Sequence, residues 1–161
     1  MKFHGLAALA LLIGTAACTG RDAAASASDG GPRAPLTEVT VASTNGRHVF
    51  QVEIADTVDK QQRGLMYRTD IPKDGGMLFA PYPPEGGGPR EASFWMKNTP
   101  SPLDIIFIRA DGTIARIAEN TVPFSEAQVP SGEPVAAVLE LNGGRSAELG
   151  LAEGDKVTWK K

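Results

Sequence analysis

The sequence predicts a mainly β (α+β) fold, a compact single-domain β-barrel or β-sandwich with two short helices. Three observations lead to this prediction. Short segments of alternating apolar residues recur along the chain, turn dipeptides such as Asn45-Gly46 and Asp111-Gly112 separate some of them, and only two segments look helical. The chain has 161 residues, 42% of them hydrophobic, which is enough for one core but not comfortably for two.

The N-terminus has the layout of a secretory signal peptide over residues 1–17. Lys2 gives a basic start, and the apolar run from Leu6 to Ile13 that follows is too short to span a bilayer. Cys18 stands where a bacterial lipoprotein signal places its lipidated cysteine, although Thr15 occupies the usual leucine position. We therefore expect an exported, periplasmic protein, with an outer-membrane lipid anchor on Cys18 favoured over simple cleavage.

Residues 18–36 are expected to form a flexible tether. This segment mixes Ala, Ser, Gly, Pro and charged residues without apolar periodicity, so it cannot bury enough surface to offset its ordering entropy. The β-rich domain is then expected over residues 37–161.

The first half of this domain predicts a hairpin, a helix and a buried strand. Val39 and Val41, then Phe50 and Val52, alternate on either side of Asn45-Gly46, a dipeptide that suits a tight turn. "DTVDKQQRGLMYR" predicts a short helix capped by Asp56 or Thr57. "GGMLFAP" predicts a buried strand, and "YPPEGGGPRE" has too much Pro and Gly for a regular element.

The second half predicts further strands and a second helix. "ASFWMKN" and "LDIIFI" are expected to be adjacent core strands, and "TIARIAEN" should form a hairpin with the second of them. "TVPFSEAQVPSGEP" predicts a long loop. "VAAVLELN" predicts a strand, "GGRSAELGL" a short helix ending at Gly150, and "KVTWK" a closing strand.

Composition excludes several classes of function. Sixteen basic residues against nineteen acidic ones give a net charge of -3, which argues against a nucleic-acid partner. His48 is the only histidine of the mature domain, and no cysteine thiol is available if Cys18 is lipidated, so Cys/His catalysis and multi-histidine zinc sites are excluded. Met66, Met77 and Met96 lie on apolar stretches and favour core packing over copper binding. No cofactor and no metal are predicted.

Two acidic residues lie on strand faces that should be buried. Asp104 shares its face with Ile106 and Ile108, and Glu140 shares its face with Val138. A buried carboxylate costs several kcal/mol unless it is paired or hydrogen-bonded, so each needs a partner. Arg63 and Lys97 are the obvious candidates.

A polar ligand pocket at one end of the barrel is the functional interpretation of these residues. Its candidate ligand-binding residues are Arg63, Trp95, Lys97, Asn98, Thr99, Asp104 and Glu140. An exposed Trp95 would suit stacking on a sugar. The structural interpretation stays open: Asp104 would cap the "KNTPSP" loop through its backbone N–H groups, and Glu140 would pair with Arg63 to dock the first helix.

Six blocks of the sequence resemble, in order, those of the domain of unknown function 192 family. They are "QQRGLMYR", "GGMLF", "FWMKNTPSPLDIIFI", "DGTIARI", and "VLELNGG" followed by "LGLAEGDKV", within about Val49 to Val157. The resemblance implies a small β-rich domain, often exported in bacteria, but no biochemical activity. The loop from Pro81 to Glu91 looks longer than is usual in the family, which leaves the shape of the site's rim open.

These observations favour a noncatalytic envelope binding module whose polar pocket holds a small or carbohydrate-like anionic ligand. A cell-wall ligand would be a natural partner, and membrane contact is expected only through the lipid anchor. One alternative is a hydrolase or lyase that uses Asp104 and Glu140 as an acid/base pair. The other is a purely structural domain, in which the polar residues hold the fold together.

Overall fold

A computed structural model describes residues 1–2 and 35–160 of the chain. The chain divides into two units, Met1–Arg33 and Ala34–Lys161. The predicted signal peptide and tether, with Cys18, lie almost entirely outside the described residues, so both remain predictions. Within the described ranges, no helix is long and apolar enough to cross a membrane.

Residues 35–160 form nine strands and two short helices, which confirms the mainly β fold. The elements are β1 Leu36–Ser43, β2 Gly46–Ala55, α1 Val58–Arg63, β3 Gly76–Phe79, β4 Arg90–Phe94, β5 Leu103–Ile108, β6 Ile114–Thr121, β7 Val129–Val135, β8 Ala137–Asn142, α2 Arg145–Leu149 and β9 Lys156–Trp159.

Seven of the strands form one curled sheet in the order β6-β5-β8-β3-β2-β1-β9. Only the pair β2–β3 is parallel. The two ends of the order meet, because Thr113, just before β6, forms an isolated bridge with Lys156 of β9. The Ile114 N–H also donates to the Asp155 carbonyl at 2.9 Å. The sheet therefore curls towards a closed barrel.

Alternate residues of the strands fill two separate apolar layers, because successive side chains of a strand point to opposite faces. One layer, called the inner layer below, includes Phe50, Leu78, Ile106 and Leu139. The other, called the outer layer, lies on the opposite face of the sheet; it includes Phe79, Ile105, Phe107 and Val138 and is completed by Leu65, Ala92, Met96 and Val135. Truncating a large buried side chain such as Phe107 to alanine would cost about 3–5 kcal/mol.

Local signals located the first elements correctly. β1 and β2 form the expected hairpin, with Ser43 opposite Gly46. The α1 helix begins after Thr57, whose Oγ1 accepts a hydrogen bond from the Lys60 N–H at 3.4 Å. The helix ends at Gly64, which has a φ of 49°.

Two expectations about the strands were wrong. β4 pairs with β7 in a separate two-stranded sheet and is not the neighbour of β5, which pairs with β6 and β8. The expected long loop is a loop only at its start, since its second half forms β7. Pro130 and Pro134 lie within β7, and because prolines are typical of loops, the sequence pattern did not indicate a strand there. Prolines are tolerated there because each strand of a two-stranded sheet has one unpaired side.

Candidate functional site

An open cleft of about 640 Å³ lies between α1, the segment from Tyr82 to Arg90, and β4 with Trp95. Glu140 of β8 lines the same cleft. The cleft thus combines residues from a helix, a loop and two different sheets, and the outer apolar layer supports it.

The helix α1 contributes Gln61 and Arg63 to the cleft. The Gln61 side chain is fixed, because its Nε2 donates to the carbonyls of Ala55 at 2.9 Å and Pro81 at 2.8 Å. Its Oε1 is buried, and no hydrogen-bond donor to it is found among residues 35–160. Arg63 is exposed, and in the same part of the chain its guanidinium has neither an ion pair nor a hydrogen bond.

Aromatic rings form a second part of the cleft wall. Phe94 is central: its ring centroid lies 5.1 Å from that of Phe79, at an angle of 84°, and 6.0 Å from that of Tyr82. A further contact of 6.0 Å joins Phe94 to Phe107 in the outer layer of the core. Edge-to-face arrangements of this kind add about 0.5–1.5 kcal/mol per pair beyond the area that they bury. The wall is therefore a rigid continuation of the core.

Glu140 is the most deeply buried ionisable residue of the cleft lining, with 5% of its surface exposed. It lies between Met77 of β3 and Ile105 of β5, neither of which can donate a side-chain hydrogen bond. Burial raises the pKa of Glu140 from 4.5 to about 8, because the charged form loses its hydration. No partner for its carboxyl group is found among residues 35–160. At neutral pH this group is therefore mostly protonated.

Asp104 is fully buried, but it lies on the other face of the sheet, with the inner apolar layer. Its Oδ1 accepts hydrogen bonds from the backbone N–H groups of Asn120 at 2.7 Å and Gly144 at 2.8 Å. Its Oδ2 accepts one from the N–H of Ser146 at 2.6 Å. This carboxylate holds the turn before α2 and the end of β6, and not the "KNTPSP" loop.

Trp95 and Lys97 lie on the exposed side of the segment after β4, with buried Met96 between them. Trp95 lines the cleft and is 42% exposed. The Lys97 Nζ stands 5.0 Å from the centre of the Trp95 ring and 3.9 Å from the Glu126 Oε1. Lys97 thus contacts the cleft only through Trp95.

Asn98 and Thr99 form a tight turn that connects two neighbouring segments. Asn98 has a φ of 55°, and its carbonyl accepts the N–H of Tyr67 at 2.8 Å. The Thr99 carbonyl accepts the N–H of Phe124 at 3.1 Å. Asparagine tolerates this left-handed conformation better than most residues do, so the turn itself explains why an asparagine stands at position 98.

At the rim, Arg90 and Glu85 form an ion pair of 2.8 Å, and the Arg90 guanidinium lies 5.8 Å from the centre of the Tyr82 ring. This pair is half-exposed, so it contributes little to stability. Its two charges cancel, which leaves Arg63 as the unpaired cation among the described residues that line the cleft.

The structure therefore brings together only part of the set that the sequence suggested. Arg63, Trp95, Thr99 and Glu140 line the cleft. Lys97 and Asn98 support its edge, and Asp104 lies elsewhere. Sequence reasoning missed Gln61, Tyr82, Arg90 and Phe94. Gln61 could have been found, because it belongs to the "QQRGLMYR" block, whereas the other three follow from long-range strand pairing.

Among the described residues, no group of three or more His, Cys, Asp or Glu side chains could hold a metal ion.

Comparison with known proteins supports both the fold and the family. A crystal structure of a protein of unknown function from Novosphingobium aromaticivorans DSM 12444 is similar, with 48% identity and a TM-score of 0.72; the match covers 77% of this chain and 85% of that one. A protein from Sinorhizobium meliloti 1021, described as a proposed transcription regulator, is 43% identical with the same TM-score. That match covers 80% of this chain and 98% of the other.

No curated protein sequence matches the chain. The profile of the domain of unknown function 192 family, described as "Uncharacterized ACR", matches residues 39–159. These residues include every strand and helix described above except the first residues of β1. The chain therefore belongs to the domain of unknown function 192 family.

Proposed function

We propose that the protein is a noncatalytic envelope binding module whose cleft holds a small or carbohydrate-like ligand. One observation carries the proposal: a single cleft joins a half-exposed tryptophan, Trp95, to two polar groups that have no partner within the described part of the chain, Arg63 and Glu140. Small-molecule sites typically combine an aromatic wall with a few convergent polar groups.

Each of the three groups suits a different part of such a ligand. The Trp95 ring offers an apolar surface on which the face of a sugar can stack. Arg63 offers an unpaired cation for an acidic substituent. A protonated Glu140 can both donate and accept hydrogen bonds, as a hydroxyl-rich ligand requires.

The alternative of a hydrolase or lyase with Asp104 and Glu140 as acid and base finds less support. Such a pair must reach one bound substrate from the same cleft. Asp104 and Glu140 project from opposite faces of the sheet, and three backbone N–H groups already occupy the Asp104 carboxylate. The purely structural alternative fits Asp104 and Asn98, but it does not account for the partnerless Glu140.

The envelope location is part of the proposal and rests on the N-terminal sequence, with Cys18 as the lipidation site and the periplasm as the compartment. Fragments of the cell wall are accordingly the first ligands to test. The description of the Sinorhizobium protein as a proposed regulator is not extended to this chain, because a net charge of -3 does not favour binding to DNA.

A thermal-shift screen tests the proposal. The purified protein is heated with cell-wall fragments, sugars and small anionic metabolites over a range of concentrations. A ligand present at about one hundred times its Kd would stabilise the folded protein by about 2.7 kcal/mol. A true ligand should raise the Tm of the wild type by several degrees and that of Trp95→Ala much less. Phe124→Ala is the matched control, since Phe124 is a 63% exposed aromatic residue outside the cleft lining. The proposal fails if no compound stabilises the wild type, or if both variants respond alike.

A further inference from the structure

We infer that the ligand of this cleft carries a primary ammonium group that pairs with Glu140, as an amino sugar would. The inference rests on the proposed binding function and adds to it the chemical class of the ligand. It starts from the Glu140 carboxyl group, which lines the cleft and has no partner among residues 35–160.

Among residues 35–160, no cation forms an ion pair with Glu140. Its neighbours across the two strand pairs are Met77 and Ile105, and neither β3 nor the facing part of β5 brings a titratable side chain to it. Ionising a buried carboxyl group without a partner costs several kcal/mol. A ligand that brings its own positive charge removes this cost, and a neutral ligand cannot.

The rest of the wall also favours a cation. The rings of Phe79, Tyr82, Phe94 and Trp95 line the same cleft. The faces of aromatic rings attract ammonium groups, by about 0.5–2 kcal/mol depending on how far the pair is desolvated. A cleft whose lining combines a carboxyl group with aromatic rings is thus chemically matched to an ammonium group.

The other charged groups of the cleft define the opposite end of the ligand. Glu85 and Arg90 pair with each other at 2.8 Å, so their charges cancel. Tyr82 is the remaining titratable residue of that segment, and α1 contributes Arg63. The unpaired Arg63 repels an ammonium group nearby but attracts an acidic or hydroxyl-bearing group. The ligand should therefore place its ammonium group at Glu140 and its more acidic end towards Arg63.

Binding of this kind has a defined proton balance. The ligand arrives as an ammonium ion, and the protonated Glu140 releases its proton to solvent when the ion pair forms. Because the pKa of the free carboxyl group is about 8, close to one proton should be released for each ligand bound at a pH below 7 that still lies above the pKa of the carboxyl group in the ion pair. A neutral ligand would leave the proton where it is.

Isothermal titration calorimetry at pH 6.5, in two buffers with different ionisation enthalpies, tests the inference. The probes are D-glucosamine, N-acetyl-D-glucosamine and D-glucose, which differ at one position of the ring. D-glucosamine should bind at least about tenfold more tightly than the other two and release about one proton. Glu140→Gln should lose this preference, and Glu119→Gln, which changes an exposed carboxylate of β6, should keep it.

The possible results distinguish a failure of the ammonium inference from a failure of the proposed binding function. If N-acetyl-D-glucosamine or D-glucose binds as tightly as D-glucosamine, without proton release, the inference is wrong and the proposed function stands. If none of the three binds, the inference is wrong, and the thermal-shift screen decides the proposed function separately. Should Glu140→Gln fail to fold, the proton count measured on the wild type still decides.

Discussion

Asp104 and Glu140 lie on hydrogen-bonded neighbouring strands, yet their carboxyl groups occupy opposite faces of one sheet. In the register of β5 and β8, Glu140 stands opposite Ile105 and Asp104 opposite Leu141. The two buried acids therefore have different environments. Asp104 is bonded by three backbone N–H groups, whereas Glu140 lines the cleft and has no partner among residues 35–160. One carboxyl group holds backbone segments together, and the other is the group that we propose for ligand binding.

Asp104→Ala should destabilise the protein by about 3 kcal/mol or more, because three backbone N–H groups, one of them in a buried hydrogen bond and two in part-buried ones, lose their acceptor. Asp104→Asn keeps one acceptor oxygen, so its effect should lie between those of wild type and alanine. Urea unfolding measures both. Glu119→Ala, at an exposed position, should change stability by less than about 0.5 kcal/mol. A similar small loss for Asp104→Ala would contradict the structural role of this carboxylate.

Glu140 should make stability depend on pH in a direction unusual for a carboxyl group. Its pKa is about 8 in the folded protein and near 4.5 when unfolded, so the folded state holds one proton more between these values. The free energy of unfolding should fall as pH rises through this window, by up to about 5 kcal/mol, and should level off above about pH 8.

The measurement compares wild type with Glu140→Gln by urea unfolding between pH 4 and pH 9. The difference in stability between the two proteins should shift in favour of the glutamine variant as pH rises. The surface carboxyl groups of Asp56 and Glu148, whose pKa values are lowered by hydrogen bonds, are common to both proteins and cancel in the difference. Parallel pH curves would show that Glu140 is ionised in the folded state.

Gly76→Ala should destabilise the protein by about 3 kcal/mol or more. A Cβ at this position would lie 2.0 Å from the backbone carbonyl oxygen of Glu140, which is held in β8 and cannot move aside. Gly86→Ala is the control, because its φ of 84° is also unfavourable for alanine but no atom lies within 4 Å. Equal losses of stability would mean that backbone strain, and not the close approach of β3 to β8, explains the effect.

Asn98→Ala should lower the free energy of unfolding by about 1 kcal/mol, since a φ of 55° is unfavourable for alanine. Asn98→Gly should recover most of this loss, because glycine adopts the same conformation without steric cost. Thermal unfolding of the two variants measures the effect. If glycine is as harmful as alanine, the contact of the Asn98 side chain with the Met66 Sδ, at 4.0 Å, is what matters.

Local patterns were sufficient for the hairpin at Asn45-Gly46 and for the cap at Thr57, because both depend on interactions within a few residues. Alternation also assigned Asp104 and Glu140 correctly to the faces of Ile106 and Val138. It could not relate those two faces to each other, since the register of β5 against β8 depends on pairing between residues that are 29 to 39 positions apart in the sequence.

The lining of the cleft was predictable only where local sequence patterns indicate it. Arg63, Trp95, Thr99 and Glu140 were named from polarity and motif, and all four line it. The aromatic wall was not anticipated, because it depends on the pairing of β4 with β7, whose prolines resemble loop residues.

The junction between Thr113 and Lys156 has a consequence for how the protein behaves at high concentration. Because the two outer strands of the large sheet meet there, the backbone at this junction is already hydrogen-bonded and cannot recruit a strand from another molecule. In the small sheet, Pro130 and Pro134 remove hydrogen-bond donors from β7, and Arg90 and Glu91 place charges on β4. The described part of the chain thus carries its own protection against edge-to-edge aggregation.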